Sequence, residues 1–207
     1  MTAKKNDAPR KRKLIPLLYK TDMIQAMLDG RKTQTIRFEL DVEPGDWIWA
    51  REGFWEHGQY TYTGGWNRIN DDRLYLADFS VIPDEWLDGA TIWRKKPSIH
   101  MPKSFCRILS EVVEVKRCRL QDITDEEAIN EGVSPDKEYG DCWRDYLDGS
   151  DCYLIARGSF SSLWDSINGK DPKKEWKANP VVTMVKFKML STDRETAQKL
   201  LGSLEDK

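Results

Sequence analysis

The chain of 207 residues has no run of about 18 apolar residues, so the sequence predicts no membrane-spanning helix. Its basic N-terminus is not followed by an apolar segment, and secretion is therefore not expected. Histidine is scarce. His57 and His100 are the two present, and their spacing from the cysteines does not suit a zinc site. A zinc-dependent cytidine deaminase, which needs closely paired ligands beside a Glu, is disfavoured for the same reason. Cys106, Cys118, Cys142 and Cys152 form no C-x-x-C pair, so a disulfide scaffold is not expected and a cytoplasmic location is. No repeat of fixed period appears, and no motif calls for a metal or an organic cofactor.

What is present reads as a folded domain. Charged residues make up 33% of the chain and hydrophobic ones 39%, a balance too apolar for a disordered polymer. Charge is unevenly placed. Six of the 33 basic residues (Lys4, Lys5, Arg10, Lys11, Arg12 and Lys13) lie in the first 13 positions, beside one of the 35 acids, Asp7. The remaining 194 residues hold 27 bases and 34 acids, a net of −7. So acidic a body lacks the broad positive surface that a long phosphate backbone requires, whereas a small nucleic-acid component is compatible with it. Residues 1–13 read as a basic disordered tail, residues 14–190 as one domain and residues 191–207 as a C-terminal tail.

Leu14 to Tyr19 is a short strand, with Pro16 at an edge or bend. Thr21 caps a helix whose apolar face is Met23, Ile24, Met27 and Leu28, and Gly30 stops it. Strands follow over Thr33 to Leu40 and Trp47 to Glu52, joined by the turn Glu43-Pro44-Gly45-Asp46. Trp47 and Trp49 share a face. Residues 54–96 look like an insertion, with short strands near Tyr60–Thr63 and Leu74–Ala77 and a Gly64-Gly65 hairpin turn. Ser104 to Leu120 is strand, Thr124 with Glu127 forms a capping box for a helix running to Gly132, and 134–158 is a second, loop-like insertion. A helix over Phe160–Ile167 and a strand over Pro180–Phe187 complete the outline. The sum predicts an α+β fold, a small and mostly antiparallel β-barrel with flanking helices, since closure removes exposed edges.

The densest polar cluster of the body is Gly30-Arg31-Lys32-Thr33-Gln34-Thr35-Ile36-Arg37, three cations bracketing hydroxyls in a segment that favours strand. Together with Pro44-Gly45-Asp46 and the helix ending Ala128-Ile129-Asn130-Glu131-Gly132, it resembles the ASCH domain family of the PUA-like superfamily. Ser98-Ile99-His100-Met101-Pro102, the segment from Phe160 to Lys170, and Trp176 with Asn179-Pro180 resemble a longer phage and prophage branch. The likeness spans about residues 14–190. It implies a β-barrel with helices flanking a cleft. In small bacterial members it implies an amidohydrolase that removes the acyl group from N4-acetylcytidine with a Lys, a Thr and a Glu. These fall on Lys32, Thr35 and Glu131. Other relatives are associated with RNA binding or ribonuclease activity, so an RNA-binding or ribonucleolytic module is the alternative, with RNA as partner.

The chemistry leaves two routes open. A threonine hydroxyl is inert until a base takes its proton, and Lys32 serves if burial and the cations Arg31 and Arg37 lower its pKa. In the other route Lys32 stays charged and steadies the developing oxyanion, Glu131 is the base and Thr35 orients water. Because Lys32 and Thr35 are three apart, a regular strand would point them to opposite faces. Their pairing requires Lys32 to sit in the turn after Gly30, or a bulge to intervene. Around them, Arg31, Arg37 and His100 are candidate substrate contacts. Trp55 is the tryptophan best placed to stack a base, and Arg51 and Glu52 either line the cleft or pair on the surface.

Overall fold

The structure, a computed structural model, describes residues 10–87, 91–136, 140–149 and 152–205. In chain order the first half comprises β1 (Leu14–Leu18), α1 (Thr21–Leu28), β2 (Gln34–Arg37), β3 (Trp47–Arg51), β4 (Phe54–Tyr60), β5 (Trp66–Tyr75) and β6 (Ile92–Lys96). The second half comprises β7 (Leu109–Arg119), α2 (Asp125–Asn130), β8 (Trp143–Arg144), β9 (Cys152–Tyr153), α3 (Ala156–Asn168), β10 (Val181–Ser191) and α4 (Arg194–Glu205). Among the described residues no helix is long and apolar enough to cross a membrane.

The main sheet has the order β1-β3-β7-β10-β2, with β1 parallel to β3 and every other pairing antiparallel. The α+β class and the predominance of antiparallel pairing match expectation. Closure into a barrel is not seen among the described residues, whose ladders leave β1 and β2 as end strands. The two ends instead meet through a side chain: Arg37 Nη2 on β2 donates to the Leu18 carbonyl at the end of β1 (3.2 Å).

Strand alternation divides the apolar residues between two layers. Ile48 and Ala50 of β3 join Met23, Ile24 and Met27 of α1 and Phe160, Leu163 and Trp164 of α3 in the larger core cluster. Trp47 and Trp49 share the other face and pack with Leu109, Ala197 and Leu201. The last two belong to α4, so the C-terminal residues are not a tail. Asp193 starts this helix by accepting the Thr196 amide (2.8 Å), and its apolar stripe covers two indoles that would otherwise face water.

Other boundaries move as well. Residues 1–9 of the expected tail lie outside the described residues, but residues 10–13 are anchored. The buried Asp46 carboxylate accepts from Arg10 Nη2 (2.6 Å), the Lys13 amide (2.8 Å) and the Glu43 amide (3.0 Å). Burial alone would raise its pKa, yet these hydrogen bonds hold it below the ordinary range. The first insertion is a three-stranded sheet in the order β5-β4-β6, turning at Gly64 (φ 79°). The second contains the β8–β9 hairpin, joined by a Cys142–Cys152 disulfide that the cysteine spacing had not suggested.

Candidate functional site

The site is built where α1 and α2 end against each other. Gly30 (φ 73°) turns the chain out of α1, after which the Lys32 amide donates to the Ala26 carbonyl and the Thr33 amide to the Asn130 carbonyl, both 2.9 Å. Lys32 therefore precedes β2 and sits in the turn, as its pairing with Thr35 requires. The capping box of α2 is formed: Thr124 Oγ1 accepts the Glu127 amide (3.1 Å), and Glu127 Oε2 accepts the Thr124 amide (2.9 Å). Fixing the start of a helix this short fixes its end, where Glu131 is the C-cap residue.

Gly132 makes the junction possible. Its φ of 92° is left-handed, and a Cβ there would stand 2.8 Å from Ala26 Cβ and 3.0 Å from Lys32 Cβ. Gly132→Ala is expected to cost more than about 1 kcal/mol in chemical denaturation, since both the dihedral and the space oppose a side chain.

Lys32 and Glu131 come together in the interior, 2% and 3% exposed. Lys32 Nζ donates to Glu131 Oε2 (2.5 Å) and to the Glu131 carbonyl (2.7 Å). An ammonium has three N–H donors, so one remains for another acceptor. Among the described residues Glu131 Oε1 is buried without a hydrogen-bond partner, and the Tyr19 and Thr35 hydroxyls are buried facing one another. A buried polar atom left without a partner costs free energy, so an acceptor at the cavity such as Glu131 Oε1 is available to a bound water or ligand.

The electrostatics agree. Burial pushes the Lys32 ammonium below its ordinary range, the Glu131 carboxylate opposes that, and Arg37 adds to the depression. Burial also raises the Tyr19 phenol, against the lowering influence of Arg37 and Thr35. Perturbed groups of this kind, gathered at a cavity, are the usual mark of a working site.

A cavity of about 270 Å³ opens onto the pair. Tyr19, Lys32, Ile36, Arg37 and Glu131 line one side, and Phe160, Trp164 and Asn168 of α3 line the other. The Trp164 indole is fixed by its Nε1–H, which donates to the Lys174 carbonyl (2.6 Å). Among small-molecule sites, which typically span about 300–1,000 Å³, this one is compact. Among the described residues no three His, Cys, Asp or Glu side chains gather in a way that suits a metal ion.

Of the residues singled out from sequence, Lys32, Glu131 and Arg37 line the cavity, whereas Thr35 is fully buried on β2 behind Tyr19 and is not among the lining residues. Arg37 lies 5.0 Å from the centroid of the Tyr19 ring. Arg31 is outside, paired with Asp29 (3.0 Å). Arg51 donates to the Ile99 carbonyl and so steadies the turn that carries Ser98 to the cavity wall. His100 on the same turn is exposed and does not line the cavity.

Glu52 and Trp55 need correction. Glu52 is buried in a two-pronged pair with Arg107 (2.9 Å for each bond), which also binds Asp78 (2.7 Å). Burial raises the Glu52 carboxyl and Arg107 counters it, so this acid ties the smaller sheet to the segment before β7 and does not line the cavity. Trp55 donates to the Phe79 carbonyl (2.9 Å) within that smaller sheet.

Tyr19, Ser98, Trp164 and Asn168 were missed. Trp164 and Asn168 are four apart on α3, and that spacing was the available signal. Comparison with family models, with characterised proteins and with solved structures found no match.

Proposed function

We propose that the protein is an amidohydrolase that removes the acyl group from N4-acylated cytosine nucleosides such as N4-acetylcytidine, as an ASCH-type fold with a PUA-like barrel ancestry would. One observation carries this reading: a buried Lys32–Glu131 pair at 2.5 Å, with one carboxylate oxygen unpartnered, lies at a cavity sized for a single nucleoside. Amide hydrolysis needs a base for water, a cationic donor for the acyl oxygen and an acid for the departing amine. The pair can supply all three.

The direction of Lys32 Nζ, which donates to Glu131 and not to Thr35, favours the route in which water attacks directly. A threonine nucleophile would hand its proton to Lys32, and no hydrogen bond joins the two. In the favoured route Glu131 Oε1 takes a proton from water, and the new hydroxide adds to the acyl carbon. The remaining Lys32 N–H receives the developing oxyanion. The proton on Glu131 then passes to N4 as the C–N bond breaks, releasing the cytosine amine and a carboxylic acid that ionises in water. The Tyr19 hydroxyl at the cavity wall orients the water, and Thr35 behind it acts by holding Tyr19.

The test is conversion of N4-acetylcytidine into equal amounts of cytidine and acetate. Because Lys32 must keep its proton to act as donor, turnover falls as pH rises through its depressed pKa. The alkaline limb of the pH–kcat profile is therefore expected below the ordinary lysine value of about 10.4. A limb at or above that value would remove Lys32 from the oxyanion role.

A further inference from the structure

Four charged side chains line the cavity: Lys20, Lys32, Arg37 and Glu131. Lys32 and Glu131 neutralise one another at 2.5 Å. Two cations are left over, and neither has a carboxylate partner among the described residues. Lys20 donates to the neutral Ser166 hydroxyl (3.0 Å), and Arg37 donates to the Ile36 and Leu18 carbonyls (3.1 and 3.2 Å). Other cations near buried or half-buried sites do meet an acid, as Arg10, Arg31 and Arg107 illustrate.

Position separates their role from that of the inner pair. Lys32 is buried, whereas Lys20 is exposed and Arg37 half-buried, so the surplus charge stands at the outer end of the cavity. Lys20 is also the residue before α1, whose first turn reaches the cavity through Met23 and whose N-terminus no side chain caps. The partial positive charge of that helix end adds to the two cations. With the acyl amide held at Lys32 and Glu131, a pyrimidine nucleoside lying against the α3 wall would direct its ribose outward toward them.

From this arrangement we propose that the site takes its acylcytidine carrying a phosphoryl group on the ribose, as the free 5′-monophosphate. The inference rests on reading the cavity as an acylcytidine site and adds the charge state of the substrate. A phosphate embedded in RNA offers the same chemistry. The cavity's small volume, about 270 Å³, and the acidic net charge of the body favour the free nucleotide.

The experiment measures binding and turnover separately. Calorimetry with the full chain compares cytidine, cytidine 5′-monophosphate and a short RNA ending in cytidine. Turnover is followed with N4-acetylcytidine and its 5′-monophosphate. Wild type is expected to bind the monophosphate about tenfold more tightly than cytidine, the gain of one charge-assisted contact. That preference should shrink with added salt and fall toward unity in Lys20→Gln and Arg37→Gln. Equal affinity for cytidine and its monophosphate, or a preference that both variants retain, overturns the proposal, as does tighter binding of the RNA than of the monophosphate. Hydrolysis of N4-acetylcytidine without a phosphate preference leaves the amidohydrolase reading standing and removes this one. A Lys20-dependent preference with no hydrolysis of either acyl compound removes the amidohydrolase reading and leaves only the phosphate contact of this one.

Discussion

Glu131→Gln is expected to lower turnover of N4-acetylcytidine by at least about a hundredfold, the contribution of one general acid–base group. The substitution keeps the volume and lets the amide oxygen accept from Lys32 Nζ. It removes the oxygen that would take a proton from water. Thr35→Ala should act differently. If Thr35 acts only by positioning Tyr19, the variant keeps part of its activity, and no acyl-enzyme is trapped when hydroxylamine is added during turnover. If Thr35 were the nucleophile, the loss would be as complete as that of Glu131→Gln, and wild type would yield a burst of cytidine before acetate. Measuring kcat/KM for the two variants side by side separates these outcomes.

The second large effect is on stability. Lys32→Met alone leaves the Glu131 carboxylate buried without its partner and is expected to cost about 3–5 kcal/mol in denaturant unfolding. Glu131→Leu alone strands the ammonium in the same way. The double variant Lys32→Met/Glu131→Leu replaces both charges by apolar groups of similar volume. It should regain the loss and can exceed wild type by about 1–4 kcal/mol. Such non-additivity is the signature of direct contact. A fold more stable without its buried ion pair would mean that the pair serves chemistry at a cost to stability. Additive losses in the double variant would instead mean that Lys32 and Glu131 do not interact directly, against the ion pair seen in the structure.

Much of this geometry was legible because it is local. Gly30 and Gly132 mark left-handed positions at helix ends, and Thr124 with Glu127 announces the start of α2. Of the turn or bulge that the three-residue spacing of Lys32 and Thr35 allowed, the turn before β2 is present, but it brings Lys32 to Glu131 and not to Thr35. Trp47 and Trp49 were placed on one face by alternation, although what covers them was not foreseen. The stripe Ala197, Leu200, Leu201 and Leu204 has helical spacing, but it lies beyond residues 14–190, the span of the family resemblance, and so reads as tail.

What the sequence concealed is set by pairing across long separations. Glu52 meets Arg107, 55 residues away, only because β3 runs into the smaller sheet beside the segment that precedes β7. Neither residue type says that it will be buried. Trp55 was misplaced for a similar reason: its register with Leu74 and Lys95 puts it on the smaller sheet rather than at the cavity. The α3 wall and Tyr19 were missed because apolar residues at helical spacing look alike whether they fill a core or line a cavity. The Cys142–Cys152 bridge depends on a hairpin that a Gly- and Asp-rich segment does not advertise.

The most direct measurement compares wild type with the Lys32→Met/Glu131→Leu double variant, shown to be folded by its cooperative unfolding, for release of cytidine and acetate from N4-acetylcytidine. Wild type is expected to release the two products in equal amounts and the double variant none. No release by wild type, or equal release by the double variant, would contradict the assignment of hydrolysis to this pair.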